Sequence, residues 1–214
     1  MATAKVWKNV AVAVQSALAA AKTITAITKA SPGVVTSASH GYSNGDIVFL
    51  SISGMYQLND KAVRVAGVTT DTFQIEGVDT TSFETFSSGT AEKVTLGTSI
   101  TTATNVTVSG GNFEFIDATT IHGDSKTQIP GLPEATSVQM DHIWDISDTG
   151  LLALKSASDN QSKRVFKFTF GTGGQIMLFA GYVGASLLPA GAGQQLVTTP
   201  TVITMNGTPT YYSS

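Results

Sequence analysis

The stretch Arg164-Val-Phe-Lys-Phe-Thr-Phe170, with Gly171-Thr-Gly-Gly174 and Gln175-Ile-Met-Leu-Phe-Ala-Gly-Tyr-Val183 after it, decides the fold. Phe166, Phe168 and Phe170 fall on one side of an extended chain, and Val165, Lys167 and Thr169 on the other. The glycine-rich segment reads as a turn, so the two arms form a hairpin. Working outward, strand signals recur over 47–52, 61–66, 72–78, 100–108 and 112–116, most of them bounded by Gly, Asp, Asn or Ser. Val6, Lys8, Val10, Val12 and Val14 share one face and predict a strand near the start. A final strand is expected over 196–205. Pro200 cannot donate to a ladder, so this strand is expected at an edge or with a bulge. Many short strands with turn punctuation predict an all-β sandwich or barrel.

One helix is predicted over 147–157. Ser147 is placed to cap it, Asp148 falls in the first turn, and Ile146 with Leu151 forms a hydrophobic staple. Leu151 and Leu154 recur at helical spacing, Lys155 suits the last turn, and Gly150 weakens the helix by roughly 1 kcal/mol relative to Ala. Two stretches, 117–133 and 184–195, lack periodicity and read as long loops. Loops of that length in a compact domain usually carry function.

Composition narrows the function classes. The chain has 214 residues, no Cys, a formal net charge of -3 and 13% charged residues. A missing Cys excludes disulfides and Cys-ligated metals. The acidic balance argues against gripping nucleic acid by its phosphates. No apolar run approaches the roughly 18–20 residues of a membrane-spanning helix, so no membrane insertion is expected. The start carries Lys5, Lys8, Lys22 and Lys29 and no acid, and together with Val10–Val14 it has the outline of a leader peptide. Gln15 and Ser16 interrupt that apolar stretch, and a mature strand is the better reading. Gly41-Tyr-Ser43-Asn-Gly45 matches the nucleophile-elbow pattern, yet the strand-like Ile47-Val-Phe-Leu50 follows where a helix is needed. His40, His122 and His142 have no metal-ligand spacing, and His142 reads as a strand histidine beside Val138 and Met140. Asp141, Asp145 and Asp148 form the densest acidic group and read as solvated surface. No nucleophile, metal cage or cofactor fingerprint stands out, so a non-enzymatic role without cofactors is expected.

Residues 22–93 resemble the FCCH-like module named from the ubiquitin-activating enzyme. The resemblance is carried by Ile24-Thr-Ala-Ile-Thr28, Gly33-Val-Val-Thr36, Ser39-His-Gly-Tyr42, Asn44-Gly-Asp-Ile-Val48, Gly54-Met55, Leu58-Asn59, Val63-Arg64-Val65 and Thr72-Phe73-Gln74-Ile75. The flanks, 1–21 and 94–214, resemble a lambda-type siphophage major tail tube protein. That likeness lies in the order of a strand at 137–145, the helix, a turn at 158–162 and the phenylalanine hairpin. It implies a discontinuous tube domain of β-sandwich type carrying a small β-barrel-like insertion. It further implies hexameric rings that stack into a conduit for genome delivery, in a virion tail assembled in the host cytoplasm. The implied partners are further copies of the chain, a tape-measure protein, and tail terminator and tail-tip proteins, with DNA passing but not held. Such proteins touch a neighbouring ring through a long loop, which maps here onto Asp117, His122, Asp124, Lys126, Pro130 and Leu132. Glu114, Asp141 and Asp145 are the candidates for acids facing the lumen. The insertion is expected to project outward. The competing reading is a secreted β-rich carbohydrate-binding or adhesive module.

Overall fold

The computed structural model describes residues 7–171 and 174–213. The expectations on Val6 and on the turn residues Thr172 and Gly173 lie outside them. The chain is all-β with one helix. β1 (Val10–Val14) belongs to a sheet completed later in the chain. The next eight strands form a sheet of their own: β2 (Ala17–Leu18), β3 (Lys22–Ile24), β4 (Ala26–Ile27), β5 (Val34–Thr36), β6 (Ile47–Ser53), β7 (Lys61–Ala66), β8 (Thr72–Ile75) and β9 (Ser88–Thr95). Its order is β2-β9-β6-β7-β8-β5-β4, with β3 also on β9. There follow β10 (Thr98–Ile100), β11 (Ala103–Ser109), β12 (Phe113–Asp117), β13 (Gln128–Pro133), β14 (Ser137–Ile143), α1 (Thr149–Asp159), β15 (Lys163–Phe170), β16 (Ile176–Ala185) and β17 (Thr198–Tyr212). Seven of these strands, β1 included, make the second large sheet, ordered β10-β1-β15-β16-β17-β14-β11. Among the described residues β12 and β13 pair only with each other.

Both large sheets curl until one chain segment serves their two ends. β10 and β11 lie at opposite ends of the seven-stranded order, yet only Thr101 and Thr102 separate them. The strand expected over 100–108 is therefore broken at this corner. It pairs with β1 before the break and with β14 after it. In the other sheet, β3 pairs with β9 and β4 pairs with β5, with Thr25 alone between them.

The interior of the seven-stranded sheet is filled by Phe166, Phe168 and Phe179, whose rings stack at 5.4 and 5.7 Å, and by Leu151 and Leu154 of α1. Phe73, Leu50, Ile75 and Met55 fill the other sheet. A third cluster joins the two: Val165, Leu178, Ala180 and Tyr212 pack against Ala62 and Val94. The β15–β16 hairpin is thus covered on both faces. This explains why 176–180 reads as an apolar run and not as an alternation.

Several expectations are corrected. Pro200 sits in β17, a 15-residue strand between β16 and β14 and not at an edge, and the irregularity this strand carries against β16 lies between Asn206 and Thr210 and not at the proline. Met205 N–H donates to Thr136 O, so by alternation odd-numbered β17 residues face β14 and Pro200 faces β16. β16 ends at Ala185, opposite Thr201, so no ladder bond is asked of the proline. The stretch 117–133 is not a loop throughout, since Gln128–Pro133 is a strand. The helix is capped by Asp148, whose Oδ1 accepts from Leu151 N–H at 2.8 Å, and not by Ser147. Ser147 instead donates to Asp145, and Ile146 is exposed, leaving no staple. Helix capping by Asp is worth about 1 kcal/mol. Asp148→Ala should therefore lower stability by about that amount in denaturant unfolding, while Asp148→Asn should retain most of it.

Candidate assembly surface

The β12–β13 ribbon is the most exposed element. Phe113, Phe115, Ile116, Ile129 and Leu132 all stand in solvent, and Ile121 in its turn is 95% exposed. The ribbon continues the β11–β14 pair beyond Gly110 and Gly111, both left-handed at φ +83 and +80. A Cβ at Gly110 would collide with Ala135 O, so only glycine fits this kink. Gly111 N–H donates to Glu134 O at 3.1 Å, and Glu134 N–H to Asn112 O at 2.9 Å, carrying the pairing across. An isolated two-stranded hairpin is marginal in water, and large exposed apolar patches mark interaction sites. The arrangement is an arm prepared for burial.

The six residues expected in an inter-ring loop share this arm. Asp117 ends β12, and its carboxylate accepts from Thr119 Oγ1 and from Thr119 N–H at 2.8 Å, which holds it below the usual carboxylate range. His122, Asp124 and Lys126 lie exposed in the turn, and Pro130 and Leu132 lie in β13. The three acids proposed for a lumen are dispersed. Glu114 is exposed on β12, Asp141 on β14 accepts from Asn105 Nδ2 at 3.2 Å, and Asp145 follows β14. Asp145 is held below the usual range by Ser147, whose hydroxyl donates at 2.7 Å and N–H at 2.9 Å. With Asp148 in the cap, the acidic group at 141–148 is spent largely on local hydrogen bonds.

The other motifs resolve into structure. In the elbow-like segment, Ser43 N–H donates to Asp46 Oδ2 at 2.9 Å and Asp46 N–H to Ser43 O at 3.1 Å, a tight turn leading into β6. His40 is buried, with Nδ1 accepting from Tyr42 N–H at 3.0 Å. The Tyr42 hydroxyl donates to Ala91 O at 2.8 Å, and burial pushes its pKa up to about 12. His142 is fully buried, bridging Thr102 and Thr201 through its two nitrogens at 3.2 and 2.8 Å. Among the described residues no cluster of His, Asp or Glu is placed to hold a metal ion, and no helix is long and apolar enough to cross a membrane.

A family model described as phage tail tube protein, TTP, matches residues 53–214. The chain belongs to that family. No curated protein matches it. Membership makes this tail tube protein a structural component of the virion tail, one that oligomerises into a tube together with other tail components. The match runs through β7, β8 and β9 as well as the whole of the sequence from β10 onward, so it spans both large sheets.

Sequence reasoning missed the contacts that fix the two sheets of the tail tube protein to each other. Asp60 receives Lys163 Nζ at 2.7 Å and Asn206 Nδ2 at 2.7 Å. Arg64 pairs with Glu76 at 2.5–2.6 Å, lies 4.6 Å over the Tyr212 ring, and donates its N–H to the Tyr212 hydroxyl at 2.8 Å. Arg64 and Glu76 are 12 residues apart and steady the guanidinium from within one sheet, whereas the partners across the joint are about 100–150 residues apart, beyond the reach of any local pattern. His142 gives a test of the corner at Thr102. Burial lowers its pKa, while Asp141 and Asp148 pull the other way. The neutral ring is then the folded form, so stability is full above about 6.5 and is lost as pH falls from there through the depressed value. The melting temperature should drop between pH 7.5 and 5.5, and His142→Gln should flatten that part of the profile.

Proposed function

We propose that this chain is the tube subunit of a lambda-type siphophage, forming hexameric rings that stack into the conduit for genome delivery. The observation that carries the reading is the family match over 53–214. The exposed arm at 113–133 supports it as the contact from one ring to the next, with Asp117, His122, Asp124, Lys126, Pro130 and Leu132 on it. Glu114, Asp141 and Asp145 are proposed to face the lumen. The formal net charge of -3 suits a conduit that must pass DNA without holding it. The tape-measure protein would occupy the lumen, terminator and tip proteins would bind the tube ends, and assembly would take place in the host cytoplasm.

Residues 22–93 are proposed as an FCCH-like insertion into a tube domain made of 1–21 and 94–214. In support, the chain leaves and re-enters the seven-stranded sheet at neighbouring points. Val14 is paired with Thr98, and Ser16 N–H donates to Thr95 O at 2.8 Å. Close entry and exit are what an insertion requires.

Electron microscopy of the purified chain over a concentration series tests the reading. Stacked rings with a central hole are expected. A chain that stays monomeric throughout, and also when offered preformed tail tips, overturns it. Replacing 113–133 with a short Gly-Ser link should leave rings while tubes shorten severely. Long tubes from that variant would remove the arm from its role.

A further inference from the structure

The outer edge of β1 is only half used. β10 covers Val12, Ala13 and Val14, and among the described residues no strand pairs with Val10 on that side. Gln15 N–H donates to Val165 O, so odd-numbered β1 residues face β15 and the main-chain groups of Val10 face away. β11 stands across the gap. Ile143 N–H donates to Thr102 O, so odd-numbered β14 residues face β11. Asn105 and Thr107 lie opposite Asp141 and Gln139, which leaves the main-chain groups of Val106 facing outward. Between these two open edges lies a cleft of about 310 Å³. Trp7, Val10 and Val12 form one wall, and Ala103, Asn105 and Val106 the other. Among the described residues no charged side chain lines it. Trp7 meets Phe168 and Phe170 edge-on at 6.5 and 5.5 Å and keeps 61% of its surface exposed.

We infer that this cleft is the socket for the arm of a second copy of the chain. The proposal rests on the reading that copies stack. The arm offers what the cleft lacks. β12 pairs with β13 on one side only and, unlike β13, has no proline, so its outer edge is free to add to an open strand. Phe115 is an exposed ring whose size suits an uncharged space of this volume. Position agrees with chemistry. The cleft adjoins the start of β11 and the arm leaves its other end, seven residues or about 24 Å of extended chain away. A knob and a socket at opposite ends of one strand make a head-to-tail contact, the kind that can repeat from copy to copy.

The chain has no Cys, so introduced thiols alone will react. Thr104 on the socket rim and Ile116 on the arm are both exposed, and substitution there spares the core. Thr104→Cys and Ile116→Cys chains are mixed, assembled and treated with a short bis-maleimide. A dimer band is expected from tubes of the mixture, and from neither variant alone nor from unassembled chain. Tubes without that band overturn the socket and leave the tube reading standing. Failure of the unsubstituted chain to form tubes overturns the tube reading itself. A second variant, Val106→Arg, places a charge in the cleft. Folded Val106→Arg chain doped at one part in ten should shorten tubes several-fold, because it can be added but cannot be followed. Incorporation of the doped chain at undiminished tube length overturns the socket even where the thiol variants fail to assemble.

Discussion

Two short breaks between strands, at Thr25 and at Thr101-Thr102, allow each large sheet to use a single segment at both of its ends. Strand twist makes a seven- or eight-stranded sheet curl, and curling brings its first and last strands toward each other. A segment that bends by one or two residues can then pair with both. The positions of these bends govern much else. The bend at Thr101-Thr102 sends β11 along β14, and that pair runs on through Gly110 and Gly111 into the exposed arm. The same bend takes β11 away from β1 and so leaves two strand edges uncovered, in a molecule whose other edges are mostly short. His142 is buried at this corner and tied to Thr102, which links closure of the sheet to the charge state of one imidazole.

The second organising feature is the joint between the sheets. Val165, Leu178, Ala180 and Tyr212 would lose much of their cover if 22–93 were absent, because Ala62, Ile47 and Phe49 of that segment pack in the same cluster. Around them Asp60, Lys163, Arg64, Glu76 and Asn206 are all hydrogen-bonded, and Thr210 Oγ1 donates to Ala62 O at 2.7 Å. Lys163 and Asp60 keep only 20% and 22% of their side-chain surface exposed, so this pair is screened less than the exposed Lys155–Asp159 pair of the helix. The segment 22–93 is therefore a working part of the subunit's core and not a pendant on a linker. This holds whatever its ancestry.

Much of the fold was legible where local pattern and tertiary environment agree. Phe166 and Phe168 alternate because their face of β15 meets the core of the seven-stranded sheet, and 47–52 and 61–66 are marked by β-rich runs bounded by turn residues. Pattern failed where the environment came from distant chain. Pro200 suggested an edge, but the sheet tolerates it because β16 stops one residue short of needing its N–H. Ser147 and Asp148 are equally good caps by type, and backbone geometry chose the second. Of the arm only 112–116 reads as strand and 117–133 reads as loop, because its apolar residues have no buried face in the single chain to impose a period. Phe113, Phe115, Ile116, Ile129 and Leu132 are exposed to either side. The six candidate inter-ring residues all lie on this arm. Their gathering on one ribbon depends on Gly110, Gly111 and the pairing of Asp117 with Gln128.

β17 comes last among the described strands yet lies in the middle of its sheet, flanked by β14 and β16. During synthesis every other strand of that sheet emerges before it. Until residues 198–212 are made, β14 and β16 each present a bare edge, and Arg64, Asp60 and Ala62 lack Tyr212, Asn206 and Thr210. A chain cut short before 198–212 therefore lacks the centre of its seven-stranded sheet and one side of the joint.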